Sequence, residues 1–283
     1  MTHREPLTAT RGPVLAESAT SLPTRLGRVH VRSIGDGAPT VLWPSMFVDS
    51  HTWDPVVPFL PSDRRYVLVD PPGLGLSQAL DRISDIAGAA DAAMDLLDGL
   101  GVEGPVDWVG NAFGGHVAFK LAARRGVLRS LVAVSAPTQP VPGWMRRQIT
   151  MLLPVLRVAG PVGPVRSGIL KGMLTDASAA REPIRRVVEE SLARPTRRSA
   201  ALALRSFILN RVDVTAELAD VTVPSLFVAS DDRGDWSPAD AEAAAAATPG
   251  ARAVTIPAAR TLIPLEQPEA LARHVRRFWD QLS

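Results

Sequence analysis

The run Val106-Asp107-Trp108-Val109-Gly110-Asn111-Ala112-Phe113-Gly114-Gly115-His116 constrains this chain more than any other part of it. An apolar stretch of strand length passes directly into a helix-forming stretch, Phe113 to Arg125, with no loop residues between them. A strand can bend into a helix that sharply only where small residues let the backbone fold against its neighbours. Gly110, Gly114 and Gly115 supply that room. The run therefore calls for a sheet with one strand ending in a tight elbow and helices packed beside it.

The remaining chain repeats the theme. Short valine-rich runs at Val29 to Ser33, Thr40 to Trp43, Tyr66 to Asp70, Val106 to Val109 and Leu131 to Ser135 read as strands. Between two of them, Ser84 to Leu100 has the helical period, with Ile86, Ala90, Ala93, Leu97 and Leu100 on one side and Gly101 as its stop. From Pro137 to Val212 strand signals cease and helical segments alternate with prolines. Strands return at Ser225 to Ala229 and Ala253 to Ile256, flanking a helix around Ala239 to Ala247. A terminal helix places Leu271, Val275, Phe278 and Leu282 on one side. This divides the chain into an N-terminal extension, 1–24, an α/β core, 25–136 and 213–283, and a helical insertion, 137–212.

Composition narrows the function classes. A length of 283 residues with 46% hydrophobic residues can bury one sizeable core. The formal charge of +2 comes from interspersed acids and bases, which gives no reason for a nucleic-acid partner. Cysteine is absent, excluding disulfides, thiolate zinc sites and a cysteine nucleophile. The first residues carry no apolar leader, and the most apolar stretch, Gln148 to Leu156, is broken by Pro154 and closed by Arg157, so no membrane span is expected. A cytoplasmic protein follows as the default. No histidines or carboxylates show metal-ligand spacing and no dinucleotide fingerprint is complete, so neither metal nor cofactor is expected.

Three segments in order resemble the α/β-hydrolase superfamily, in its capped, esterase- and epoxide-hydrolase-like branch. They are the elbow at Val106 to His116, the run Tyr66 to Ser77 containing Asp70-Pro71-Pro72-Gly73-Leu74-Gly75, and Pro264-Leu265-Glu266-Gln267-Pro268. The resemblance implies the α/β-hydrolase fold: a mostly parallel central sheet with helices on both faces and 137–212 as an inserted helical cap. It also implies a serine nucleophile at the elbow apex, a general-base histidine before Pro264, and an acid after the strand Ser225 to Ala229.

Here the chain departs from the pattern. The apex is Ala112, whose methyl group cannot attack a carbonyl, and the histidine position holds Thr261, which is no base near neutral pH. Arg260 stands where a glycine usually precedes that histidine. The acid position falls on Asp232 or Asp235, depending on the direction of counting through Asp231 to Pro238. Without a histidine to orient, either aspartate also reads as an ordinary loop or capping residue. The oxyanion hole of this family is built from backbone amides, which side-chain replacement leaves intact. Its positions here are Met46 and Phe113, and the loop Trp43-Pro44-Ser45-Met46 replaces the usual His-Gly sequence.

Three more side chains are candidates near that site: Ser45 as a replacement nucleophile, and His51 and His116 as acid or base. The simpler readings are a helix-start surface residue for His51 and a satisfied helix histidine for His116. The apolar cap segment, with Trp144, Met151, Leu152 and Ile169, points to a hydrophobic small-molecule ligand or substrate. Three functions are compatible with these residues. The first is non-covalent, cofactor-free lyase, isomerase or cyclase chemistry on a hydrophobic carbonyl compound. The second is a non-catalytic pseudoenzyme binding a small ligand or protein. The third is an ester hydrolase carrying an inactivating alanine at 112.

Overall fold

The valine-rich runs form one eight-stranded sheet in the computed structural model, which describes residues 16–232 and 236–282. In chain order the strands are β1 (Glu17–Thr24), β2 (Gly27–Ile34), β3 (Ala38–Trp43), β4 (Arg64–Val69), β5 (Val106–Asn111), β6 (Leu128–Val134), β7 (Ser225–Ser230) and β8 (Arg252–Ile256). Their spatial order is β1-β2-β4-β3-β5-β6-β7-β8. The first two strands are antiparallel to their neighbours; β4, β3, β5, β6, β7 and β8 run parallel.

Successive side chains of a strand face opposite ways, and here both faces are buried, which explains the unbroken apolar runs. Val41, Trp43, Val67, Val69 and Trp108 join the core beneath α1 (Ile86–Gly99) and α2 (Phe113–Ala122). Leu42, Tyr66, Leu68, Val109 and Val132 join the opposite core, which is closed by the C-terminal helix. Helix α1 starts where Asp85 accepts a hydrogen bond from the Gly88 amide, one residue later than the sequence pattern suggests.

Between β6 and β7 the chain is helical: α3 (Gly143–Ala159), α4 (Gly163–Met173), α5 (Asp176–Ala180), α6 (Glu182–Ala193) and α7 (Arg197–Ala203). Helix α7 continues as a wider π turn, Leu204–Leu209. The chain then returns through β7, α8 (Pro238–Ala247) and β8 to α9 (Ile263–Glu266) and α10 (Pro268–Asp280).

The α/β-hydrolase fold anticipated from sequence is the fold observed. The extension drawn as 1–24 differs in one respect: Glu17–Thr24 is a strand paired along its length with β2. Its side chains are mostly exposed, so it needs no apolar pattern and leaves no signal in the sequence.

Candidate functional site

Loops at the carboxyl ends of parallel strands form the natural crevice of an open α/β sheet. The centre of that crevice is the elbow. Strand β5 ends at Asn111 and α2 begins at Phe113, so one residue, Ala112, makes the whole turn at φ 45° and ψ −99°. A positive φ is costly for a residue with a side chain, by about 1–2 kcal/mol, and persists only where the surroundings impose it. They do: a Cβ on Gly110 would lie 2.2 Å from the Gly114 backbone, and one on Gly114 would lie 2.2 Å from the Trp43 carbonyl oxygen. Backbone therefore packs on backbone from β3 through β5 to α2.

That close approach also sets the loop after β3. Trp43 stacks on Trp108 at 5.4 Å and meets Phe113 edge-on at 6.1 Å. Phe113 in turn stacks on Phe207 of the π turn at 4.5 Å. Above this aromatic floor lies a cavity of about 450 Å³. Ser45, Met46, Ala112, Phe113, His116 and Thr261 all line it, so six of the nine residues singled out from sequence meet at one place. The outer walls come from the helical segment and are mostly apolar, with Leu152, Leu156, Ile169 and Met173 beside Gln148 and Lys171.

The other three lie elsewhere. Asp235 is outside the described residues. His51 does not line the cavity. It sits in a short 3-10 turn capped by Asp49, with Nδ1 2.8 Å from the Asp54 carboxylate and 3.1 Å from the Arg32 guanidinium. The hydrogen bond to Asp54 raises its pKa. This moves it away from the site as an acid or base: its partners are the Asp54 carboxylate and the mostly buried Arg32 guanidinium of β2.

Asp232 does not line the cavity either. Its carboxylate accepts a hydrogen bond at 2.9 Å from Nη2 of Arg260, whose guanidinium is almost wholly buried. The same guanidinium donates to the carbonyls of Lys171 and Leu174 at the end of α4. Three more bonds run alongside. The Thr261 hydroxyl donates to the Gly172 carbonyl (3.1 Å), the Leu262 amide to the Met173 carbonyl (3.1 Å), and the Thr175 amide to Glu266 (2.8 Å). Glu266 also accepts from the Arg260 amide at 2.7 Å. The loop before α9 is thereby stitched to α4 and α5.

His116 lines the cavity, where its surroundings make it a weak base. Its Nε2–H donates to the Pro137 carbonyl at 3.0 Å, leaving Nδ1 unprotonated and without a partner among the described residues. Burial, with Arg211 nearby, pushes its pKa down to about 3. At neutral pH it is an uncharged ring with little affinity for a proton.

Asn111 was not singled out from sequence, yet it ties the site together. Its side-chain amide donates to the carbonyls of Val134 (3.1 Å) and Thr261 (2.8 Å), holding the 261 loop against the elbow. A buried amide next to the apex is a polar residue inside an apolar strand, which is the one sequence signal it carries. Ser135, at φ 48° on the cavity wall, had no such signal. Among the described residues no group of three or more His, Asp or Glu could hold a metal ion, and no helix is long and apolar enough to cross a membrane.

Comparison with known proteins agrees with this architecture. The sequence model of the alpha/beta hydrolase family matches residues 40–274. The chain is 28% identical over 208 residues to the pimeloyl-[acyl-carrier protein] methyl ester esterase of Shewanella woodyi, covering 71% of this chain and 77% of that protein. It is likewise 28% identical over 237 residues to the protein of that name from Stenotrophomonas maltophilia, covering 81% and 87%. Among solved structures, a thermophilic esterase from Thermogutta terrifontis superposes with a TM-score of 0.84 at 23% identity, over 94% of this chain and 99% of that one. The enol-lactonase from Burkholderia xenovorans does so with a TM-score of 0.83 at 20% identity, over 92% and 100%. The chain belongs to the alpha/beta hydrolase family.

Proposed function

We propose that this chain is built as an ester hydrolase for carboxylic esters with an apolar acyl part, and carries an inactivating alanine at its nucleophile position, 112. This corrects two expectations formed from the side chains alone, non-covalent lyase, isomerase or cyclase chemistry and a non-catalytic binding protein. Against both stand relatives named as methyl ester esterases that match over 71% and 81% of the chain.

The carrying observation is the conformation of Ala112. A residue without a functional side chain gains nothing from φ 45°, yet the turn is held there by glycines packed on backbone. Such a turn serves to lift a nucleophile off the sheet towards a substrate. The amide of Phe113 is the first of α2, where a helix leaves N–H groups without intrahelical acceptors, and Met46 faces the same cavity. In this reading the two amides would polarise the ester carbonyl and hold the oxyanion. The segment 137–212 acts as a cap whose apolar wall receives the acyl chain. In the same reading Thr261 stands at the base position, and Asp232 or Asp235 at the acid position.

The test restores the missing groups. Ala112→Ser alone is expected to stay roughly a million-fold below a complete triad, because one absent member removes most of its effect. Ala112→Ser combined with Thr261→His should label with a fluorophosphonate and hydrolyse p-nitrophenyl butyrate at least about a hundredfold faster than either single variant. A folded double variant that neither labels nor exceeds the parent chain would overturn the proposal.

A further inference from the structure

Helix α3 is apolar on two sides, and only one of them has a packing partner among the described residues. Its inward side carries Ile149, Leu152 and Leu156, which pack into a small core with α4 and α7 and line the cavity. On the other side stand Trp144, Met151, Val155 and Val158, with exposures of 66%, 71%, 40% and 74%. At about 100° per residue these four fall within an arc of roughly 60°, a single straight stripe along the helix. A ridge of large exposed side chains is uncommon on a monomer surface and marks a contact.

Charge says what kind of contact. No aspartate or glutamate occurs between Trp108 and Thr175, while α3 and α4 together carry Arg146, Arg147, Arg157, Arg166 and Lys171. Of these, Arg166 is paired with Glu189; Arg147 and Arg157 make no ion pair among the described residues and are exposed. An apolar stripe flanked by uncompensated arginines on one helix is the build of a surface that lies in the headgroup region of an anionic membrane. Trp144 also lines the cavity, so the same helix joins that surface to the pocket.

We infer that α3 docks this protein peripherally on anionic phospholipid, with the Trp144–Val158 stripe in the acyl boundary and Arg147 and Arg157 among the phosphates. A substrate with an apolar tail dissolved in the bilayer then meets the cavity beside the docked helix. The docking is independent of the chemistry at residue 112.

The tryptophans make the test direct. Trp43, Trp53, Trp108, Trp236 and Trp279 are all buried, so Trp144 is the one that solvent or lipid can reach. The full chain is mixed at low salt with phosphatidylcholine vesicles, with or without about 30 mol % phosphatidylglycerol, and with chain-brominated lipid as quencher. The expected result is co-sedimentation with the anionic vesicles only, accompanied by quenching that Trp144→Phe abolishes while leaving binding largely intact. Arg147→Gln with Arg157→Gln, and separately Met151→Ser with Val158→Ser, should each weaken binding about tenfold or more. These substitutions are on exposed positions, and unchanged circular dichroism verifies the fold.

Several outcomes would overturn the inference. Absence from anionic vesicles at low salt is one, and binding without quenching, which places another face on the lipid, is a second. A dimer in solution that dissolves on Met151→Ser with Val158→Ser would assign the stripe to a second copy. Binding to soluble polyglutamate as tight as to vesicles, with no lipid quenching, would assign it to an acidic protein.

Discussion

Replacing Arg260 with alanine tests the claim that this side chain holds the loop before α9 onto α4. The guanidinium side chain is 7% exposed and its Asp232 partner 29% exposed. Alanine removes the donors to the Lys171 and Leu174 carbonyls and one counter-charge of Asp232 together. It also removes a cation from the C-terminal end of α4, where the helix carbonyls favour positive charge. Removing one partner of a buried ion pair costs about 3–5 kcal/mol. Water can reach Asp232 and recover part of that, which puts the loss at about 3 kcal/mol. For a chain of this size each kcal/mol moves Tm by roughly 2–4 °C, so a fall of roughly 6–12 °C is expected in calorimetry. Amide exchange should localise the effect: the Thr175 and Leu262 amides, bonded across the same junction, should lose protection before the sheet does. Asp232→Asn keeps the shape and a neutral acceptor but takes the carboxylate charge from the buried guanidinium, and should cost about 2–3 kcal/mol. A Tm within about 2 °C of the parent, with exchange at 175 and 262 unchanged, would refute the reasoning.

Two further expectations follow from the site. Gly114→Ala should destabilise by about 1–3 kcal/mol or prevent folding, although alanine ordinarily improves a helix, because its Cβ meets the Trp43 carbonyl at 2.2 Å; a neutral or raised urea midpoint would show that the elbow is looser than described. His116 makes stability depend on pH. Its folded pKa, about 3, lies below that of the unfolded chain, near 6.5, so protons bind the unfolded state preferentially between those values. Its contribution is therefore full above pH 6.5 and shrinks as pH falls towards 3, by up to about 1.4 kcal/mol per pH unit. Urea midpoints measured from pH 7 to 4 should fall less steeply in His116→Gln than in the parent; parallel curves would show that His116 titrates normally.

The fold was legible because its signals are local. Valine-rich runs buried on both faces, helical periods between them and three glycines around one apex each act within a few residues, and together they admit little besides a parallel sheet with an elbow. Ala112, Met46, Phe113 and Thr261 were singled out through the resemblance to the α/β-hydrolase superfamily, whose motifs lie beside nearby turns, and all four line the cavity. Strand β1 escaped because an exposed edge strand is held by backbone hydrogen bonds that impose no side-chain pattern.

Function was less legible, because the arguments from Ala112 and Thr261 concern which bonds two side chains can make. They carry no information about the reaction for which the surrounding pocket is shaped, and the relatives redirected that reading towards ester hydrolysis.

By itself the sequence determined that an elbow exists, that its apex is an alanine, and that apolar helices lie between β6 and β7. Only the tertiary structure decided what those parts do to one another. It buried His116 into neutrality and left His51 on a charged flank. It drew Asn111 to a carbonyl 150 positions away, and set Arg260 across a gap of 86 residues onto the end of α4. It also turned one of the two apolar sides of α3 outward. Each of these depends on which surface a helix presents once the chain has closed, and that is settled by packing between segments distant in sequence, where local patterns have no reach.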